Sequence, residues 1–240
     1  MNLKEKSVLI TGANRGLGAE IVRSFLQHGI GKVYAGARNP SSLPDFNDAR
    51  VIPVRLDITK PDEVAAAAQN IGAVDILLNN AGIMNFSGIL TASTAELSAD
   101  MDVNYYGTVR MIQAFAPLME KHGGGVIANL VSVVGLASVP GIEGYSASKA
   151  ALFSATQAAR TALKSKNITV IGVFPGPIDT DMAKNLPLDK ASTVDTAEDI
   201  VKGIIAGQED IYPDPTSKQI SGLWGSNPKG LEQFFADMAG

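Results

Sequence analysis

Tyr145 and Lys149 stand four residues apart in the run Tyr145-Ser146-Ala147-Ser148-Lys149, so on a helix their side chains share one face. A phenol is a poor acid or base near neutral pH, because its ordinary pKa is about 10. A cation held beside it stabilises the phenolate and brings that value down. Such a pair can give a proton to a carbonyl oxygen or take one from an alcohol. Pairs at this spacing are also common on helix surfaces, and alone this one carries little weight.

A second constellation is Thr11-Gly12-Ala13-Asn14-Arg15-Gly16-Leu17-Gly18, which follows an apolar run and opens a helical pattern. Its glycines let the backbone turn sharply and approach a diphosphate, while a helix start supplies free N–H groups and a favourable dipole. A strand–helix turn with surplus glycines is the bland alternative. The spacing Gly-x-x-x-Gly-x-Gly differs from the commoner dinucleotide fingerprint Gly-x-Gly-x-x-Gly. It also lacks the Lys-Ser/Thr of a nucleotide-triphosphate loop, which argues against phosphotransfer. NAD enzymes place an acid at the end of the second strand to bond the ribose hydroxyl. The run Tyr34-Ala35-Gly36-Ala37-Arg38-Asn39 has no acid there. Arg38, with Arg15 in the glycine loop, suits a 2′-phosphate through charge-assisted bonds, so NADP(H) is expected over NAD(H). Solvated surface charges are the competing reading of both arginines.

Composition removes other chemistries. The 240 residues are 45% hydrophobic and 18% charged, as in a well-buried globular chain, with a net charge of −4 that argues against a nucleic-acid surface. There is no cysteine, and His28 and His122 have no ligand-like spacing, so neither disulfides nor a zinc site are expected. No apolar run approaches the roughly 20 residues of a membrane helix, and the short stretch Ser7 to Ile10 is no signal peptide. A cytoplasmic protein with no nucleic-acid or membrane partner is the expectation.

The elements that must hold these residues alternate. Strands are expected over 7–11, 32–37, 51–56, 74–79, 126–132 and 169–174. Helices are expected over 18–28, 62–70, 98–121 and 145–164, and from near Thr196, with Glu198 and Asp199 in that helix's first turn. The strands are Val/Ile-rich with little polar alternation, as in a parallel sheet covered on both faces. The expected fold is therefore α/β: a Rossmann-like doubly wound parallel sheet in a single domain over 1–240. The tail from Tyr212 is rich in Pro, Ser and Gly and is expected to hold only a short helix near 231–238.

Taken in order, the motifs over 4–207 resemble the short-chain dehydrogenase/reductase family. Thr11 to Gly18 resembles its glycine loop, with Gly12, Asn14, Arg15, Gly16, Leu17 and Gly18 at the cofactor. Asp57, followed by Ile58, resembles the acid that contacts the adenine, although an acid at a strand end also caps turns. Asn79-Asn80-Ala81-Gly82 resembles the motif shaping the adenosine side. Asn104 in Val103-Asn104-Tyr105-Tyr106-Gly107 resembles the helix asparagine, and Ser132, thirteen residues before Tyr145, the catalytic serine. Pro175, Gly176, Ile178 and Thr180 resemble the segment that holds the nicotinamide carboxamide.

The resemblance implies hydride transfer between NADP(H) and a carbonyl or alcohol. Ser132 would polarise the substrate oxygen and Tyr145 would transfer the proton. Lys149 would lower the tyrosine pKa and bond the nicotinamide ribose, and Asn104 would anchor a water in a proton relay. By the same analogy 181–195 covers the substrate, with Met182, Leu186 and Leu188 as an apolar lid or as mere packing. Leu136, Ile142 and Pro177 add apolar wall, which suggests a small neutral hydrophobic ketone or aldehyde. A 3-oxoacyl-carrier-protein reductase would want a basic patch, and only Lys184 and Lys190 are near. A non-catalytic NADP-binding regulator is the third reading. Relatives end on a Gly-rich strand that helps build a tetramer, whereas this chain has Pro213 and Pro215 there. A homodimer through 100–121 and 145–165 is the safer expectation than a homotetramer.

Overall fold

A computed structural model describes residues 1–86, 88–186 and 188–238. Seven parallel strands form one sheet: β1 (Ser7–Thr11), β2 (Lys32–Ala37), β3 (Val51–Arg55), β4 (Ile76–Asn79), β5 (Gly125–Leu130), β6 (Ile168–Val173) and β7 (Asp210–Ile211). Their order across the sheet is β3-β2-β1-β4-β5-β6-β7. The chain walks outward from β1 to β3 and then returns to place β4 beside β1. That reversal opens a crevice beyond the carboxyl ends of β1 and β4, which is where doubly wound sheets take their ligands.

Alternating side chains send the strands' apolar residues to opposite faces. Val8 and Ile10 of β1 pack with Ile21, Val22 and Phe25 of α1 (Gly16–Gln27) and with Ile200, Val201 and Ile204 of α6 (Thr193–Ala206). Leu9 faces the other layer, with α2 (Pro61–Ile71), α4 (Thr108–Lys121) and α5 (Glu143–Leu163). There it joins Val64, Met111, Phe115 and Met119.

Three readings are corrected. The helix expected over 98–121 begins earlier, as α3 (Thr94–Asp100) under a capping box of Ser93 and Glu96, and passes through a π-helical segment, Met101–Gly107, into α4. Helix α6 starts at Thr193 with Ser192 as its cap, so the acid in its first turn is Asp195. Glu198 lies beyond that turn, and its carboxylate instead binds Ser24 Oγ at 2.8 Å and His28 Nε2 at 2.9 Å, joining α6 to α1.

The tail is the third. It folds as α7 (Pro215–Ser226) and α8 (Pro228–Asp237) rather than as a loop with one short helix. Both prolines occupy the first helical position, where no N–H is missed, and Asp214 and Asn227 cap from the residue before. The residues that read as turn formers are helix starters here. Leu231 and Phe235, one turn apart, bury with Ile220, Leu152 and Phe174 in a third apolar cluster. Strand β7 does form despite Pro213, but it is only two residues long. At the opposite edge β3 carries Pro53. Leu56 N donates to Ala37 O, so by the two-residue period position 53 points its nitrogen away from β2.

Candidate active site

A cavity of about 610 Å³ opens at the carboxyl ends of the strands. Its floor is two motifs locked together. Thr11 Oγ1 accepts from the main-chain N–H of Asn80 and Ala81, both at 3.0 Å, and Asn80 Nδ2 donates to Thr11 O at 2.9 Å and Gly12 O at 3.1 Å. Gly12 has φ +67°, and a Cβ there would sit 2.9 Å from Ala81 Cα; one on Gly18 would meet Gly12 O at 2.2 Å. No other residues fit this turn. No side chain caps α1, so its first N–H groups stay open to an anion in the cavity. Asn14, Gly16, Leu17 and Gly82 line the same space.

Arg38 lines the cavity just past β2, beside Asp57 and Ile58. Burial raises the Asp57 carboxyl, but bonds from Thr59 and the charges of Arg38 and Lys60 leave it below its ordinary value. Its Oδ1 accepts from Thr59 N and Oγ1, so Asp57 caps a turn and also walls the pocket. Asn14 Nδ2 reaches Ser42 Oγ at 3.2 Å, tying the glycine loop to the segment after Arg38. Arg15 pairs with Asp181 at 3.0 Å across the mouth, both side chains mostly exposed, a contact worth little in water.

Past β5, Ser132 adopts φ +149° and ψ 157°, a region that glycine alone visits freely. Its Oγ donates to Pro175 O at 3.2 Å and accepts from Val134 N at 3.4 Å, which fastens the strand end to the Pro175-Gly176 loop. Tyr145 and Lys149 share a face of α5, with Nζ 5.6 Å from the phenol ring centroid. Nζ donates to Leu130 O at 2.7 Å. Burial pushes the Tyr145 phenol up to about 12 against the pull of Ser132, with Asp100 adding to the rise. Burial likewise brings Lys149 down to about 7, while Asp100 pulls it up. Burial thus sets the phenol above its ordinary value, where the residue spacing led to the expectation that Lys149 would lower it. What results is a phenol that keeps its proton at neutral pH and gives it only to a more basic oxygen, such as one on which negative charge develops.

Asn104 is fully buried in the π segment. Its Nδ2 donates to Ile83 O and Ser148 Oγ and its Oδ1 accepts from Ile83 N, all at 2.9 Å. Both amide hydrogens are thus spent on the protein. The residue clamps the segment after β4 to α5, where the sequence reading gave its side chain a relay water.

Ile142, Pro177, Ile178, Thr180 and Met182 line the cavity as expected, as do Leu186 and Leu188, while Pro187 lies outside the described residues. A bridge between Ile178 and Ala191 closes the base of that lid. Leu136 does not line it. A 3-10 turn, Val133–Gly135, turns it into the core cluster with Leu152, and Val134 and Val139 take its place on the wall.

The sequence reading missed the far wall. Thr216 and Ile220 of α7 and Phe234, Phe235 and Met238 at α8 face the cavity. Asp214 makes the join: Oδ2 accepts from Gly176 N at 2.9 Å, and Oδ1 caps α7 through Ser217 N at 2.8 Å. The run Asp214-Pro215-Thr216-Ser217 is itself a helix-start signal, and the Leu231/Phe235 spacing marks a buried face. Among the described residues no cluster of His, Asp or Glu could hold a metal, and no helix is long and apolar enough to cross a membrane.

The sequence profile of short chain dehydrogenases matches residues 6–191. The 3-oxoacyl-[acyl-carrier-protein] reductase FabG of Chlamydia muridarum is 34% identical over 194 residues, covering 77% of this chain and 78% of that one. A short chain dehydrogenase from Burkholderia cenocepacia, solved in complex with NADP, superposes with a TM-score of 0.92 at 34% identity, covering 98% of this chain and 99% of its own. A 3-ketoacyl-(acyl-carrier-protein) reductase from Brucella melitensis, complexed with NADH, superposes at 0.80 with 25% identity, over 88% of this chain and 98% of that one.

Proposed function

Because this chain belongs to the short chain dehydrogenase family and is an NAD(P)-dependent oxidoreductase, we propose that it reduces a neutral, apolar ketone or aldehyde with NADPH. The observation that carries the substrate class is the wall. Val134, Val139, Ile142, Leu186, Ile220 and Phe234 are apolar, and the charged groups on the lid side are the acids Asp181 and Asp189. An anionic substrate would meet repulsion there, and the one cation at the mouth, Arg15, is already paired with Asp181.

The bound nicotinamide supplies the hydride; the remaining work falls to the chain. The open N-terminus of α1 holds the diphosphate, and Arg38, standing at the end of β2 where NAD enzymes carry an acid, takes the 2′-phosphate. NADP in the Burkholderia relative supports that preference. Ser132 Oγ turns from Pro175 O to donate to the substrate oxygen. Tyr145 donates its proton to that oxygen as negative charge develops, and the Lys149 ammonium stabilises the phenolate left behind. We propose a homodimer rather than a homotetramer as the working assembly, because β7, only two residues long, offers little edge for a contact through the last strand.

A second reading has support in the relatives named as 3-oxoacyl-carrier-protein reductases, whose substrates carry an apolar chain that this wall would accept. Cofactor oxidation over a panel of aryl ketones, aldehydes, diketones and 3-oxoacyl thioesters, with NADPH against NADH, tests both. Turnover of neutral ketones with NADPH is expected, and Arg38→Asp should cut the NADPH/NADH ratio by about tenfold or more, the loss of one charge-assisted contact. Exclusive turnover of thioesters would replace the first reading with the second. NADPH binding without turnover of anything in the panel would sink both.

A further inference from the structure

Asp100, at the end of α3, is fully buried beside the reaction centre, and no step above uses it. Its Oδ1 accepts from the main-chain N–H and the Nδ2 of Asn85, each at 3.2 Å, whereas Oδ2 is buried with no partner among the described residues. A carboxylate left half unbonded in the interior is costly unless it takes up a proton or a positive charge lies near it.

The surrounding elements offer one. From its own helical run, Glu96 is exposed at the start of α3 and Asp102 pairs outward with Arg110. From α5 come Glu143, Tyr145 and Lys149. Asp100 and Asn104 lie one turn apart and grip the same segment, Asp100 through Asn85 and Asn104 through Ile83. Between them and α5 sits Gly82, where a Cβ would be 3.0 Å from Asn104 Oδ1 and 3.7 Å from Lys149 Nζ. Among the described residues Lys149 makes one hydrogen bond, to Leu130 O, and so keeps donors and charge uncommitted.

We propose that Asp100 is a positioning residue of the reaction: its carboxylate is the counter-charge that keeps Lys149 in the ammonium form, and so sets the upper pH at which Tyr145 can deliver its proton. The proposal rests on the roles given above to Tyr145 and Lys149. The electrostatics agree in sign. Asp100 is the charge that raises Lys149, and Lys149 in turn pulls down the Asp100 carboxyl, which burial raises above its ordinary value. Removing the negative charge would let the ammonium lose its proton at lower pH.

Asp100→Asn separates this role from simple stapling, because the amide oxygen still accepts from Asn85 while the charge is gone. The alkaline limb of the NADPH-dependent rate should move down by about half to one pH unit. Activity would then fall about three- to tenfold at pH 8 relative to pH 6, with Tm and the Kd for NADPH at pH 6 retained. Asp100→Glu, if it folds, should restore the wild-type limb. A uniform loss at every pH, or no shift, would overturn the proposal and leave Asp100 a structural staple. Titration of the 15N-labelled Lys149 side chain by NMR, assigned with Lys149→Met, needs no substrate. It should show the same downward shift in Asp100→Asn, and an unmoved titration would refute the counter-charge role. Absence of turnover in the wild-type enzyme would instead count against the reductase reading alone.

Discussion

Ser132 shows how a residue's type can be legible while its state is not. The spacing to Tyr145 marks it as a candidate, but nothing in the one-dimensional pattern reports φ +149°. A serine held in a glycine region costs on the order of 1–3 kcal/mol, which the bonds to Pro175 and Val134 hold in place. Ser132→Gly should therefore raise the unfolding free energy by roughly 1 kcal/mol while lowering kcat about a hundredfold or more for want of the hydroxyl. Ser132→Ala should lose the rate without the stability gain. Denaturant melts and steady-state kinetics on the two variants check this, and equal stability in both would mean the backbone there is relaxed. Lys149 and Tyr145 teach the same lesson: their pairing was readable, but the desolvation that dominates both acid strengths comes from residues far apart in sequence.

At the level of elements, every strand of the first 175 residues was legible within two residues or so of its observed ends, because parallel strands buried on both faces are continuous apolar runs. Two features resisted. The π segment was hidden because Met101–Gly107 keeps a helical apolar pattern, and only its burial of Asn104 betrays the changed register. The tail was hidden because Pro, Ser and Asn serve helix starts and loops alike, so α7 and α8, and with them one wall of the substrate space, went unread. That wall makes a prediction of its own. Phe234 is 41% exposed and lines the cavity, so shortening it should barely disturb the core. Phe234→Ala should raise kcat/KM for the bulkiest ketones accepted and lower it for the smallest by several-fold each, within the roughly 1–3 kcal/mol that apolar pocket contacts are worth. A parallel change across all sizes would show that α8 acts only through stability.

For the molecule as a whole, seating the reaction centre in the crevice beside β1 and β4 leaves a mark on stability. Burial brings Lys149 down to about 7 from its ordinary 10.5, so between those values the unfolded chain would hold a proton that the folded one has released. The contribution of this group to stability then rises with pH across that window, by up to about 1.4 kcal/mol per unit. The Tyr145 phenol, raised to about 12, opposes only above pH 10. Tm at low ionic strength should climb from pH 7 to pH 9, and Lys149→Met should flatten that climb. A slope unchanged in the variant would place the effect elsewhere. The sheet's two margins have a consequence of a different kind. Pro53 turns a donorless nitrogen outward on β3, and β7 ends after two residues at Ile211, with Pro213 two positions on. A growing stack of molecules needs an uninterrupted ladder at an exposed strand, and neither margin offers one. Pro53 and the brevity of β7 therefore guard the concentrated protein against fibril-like growth.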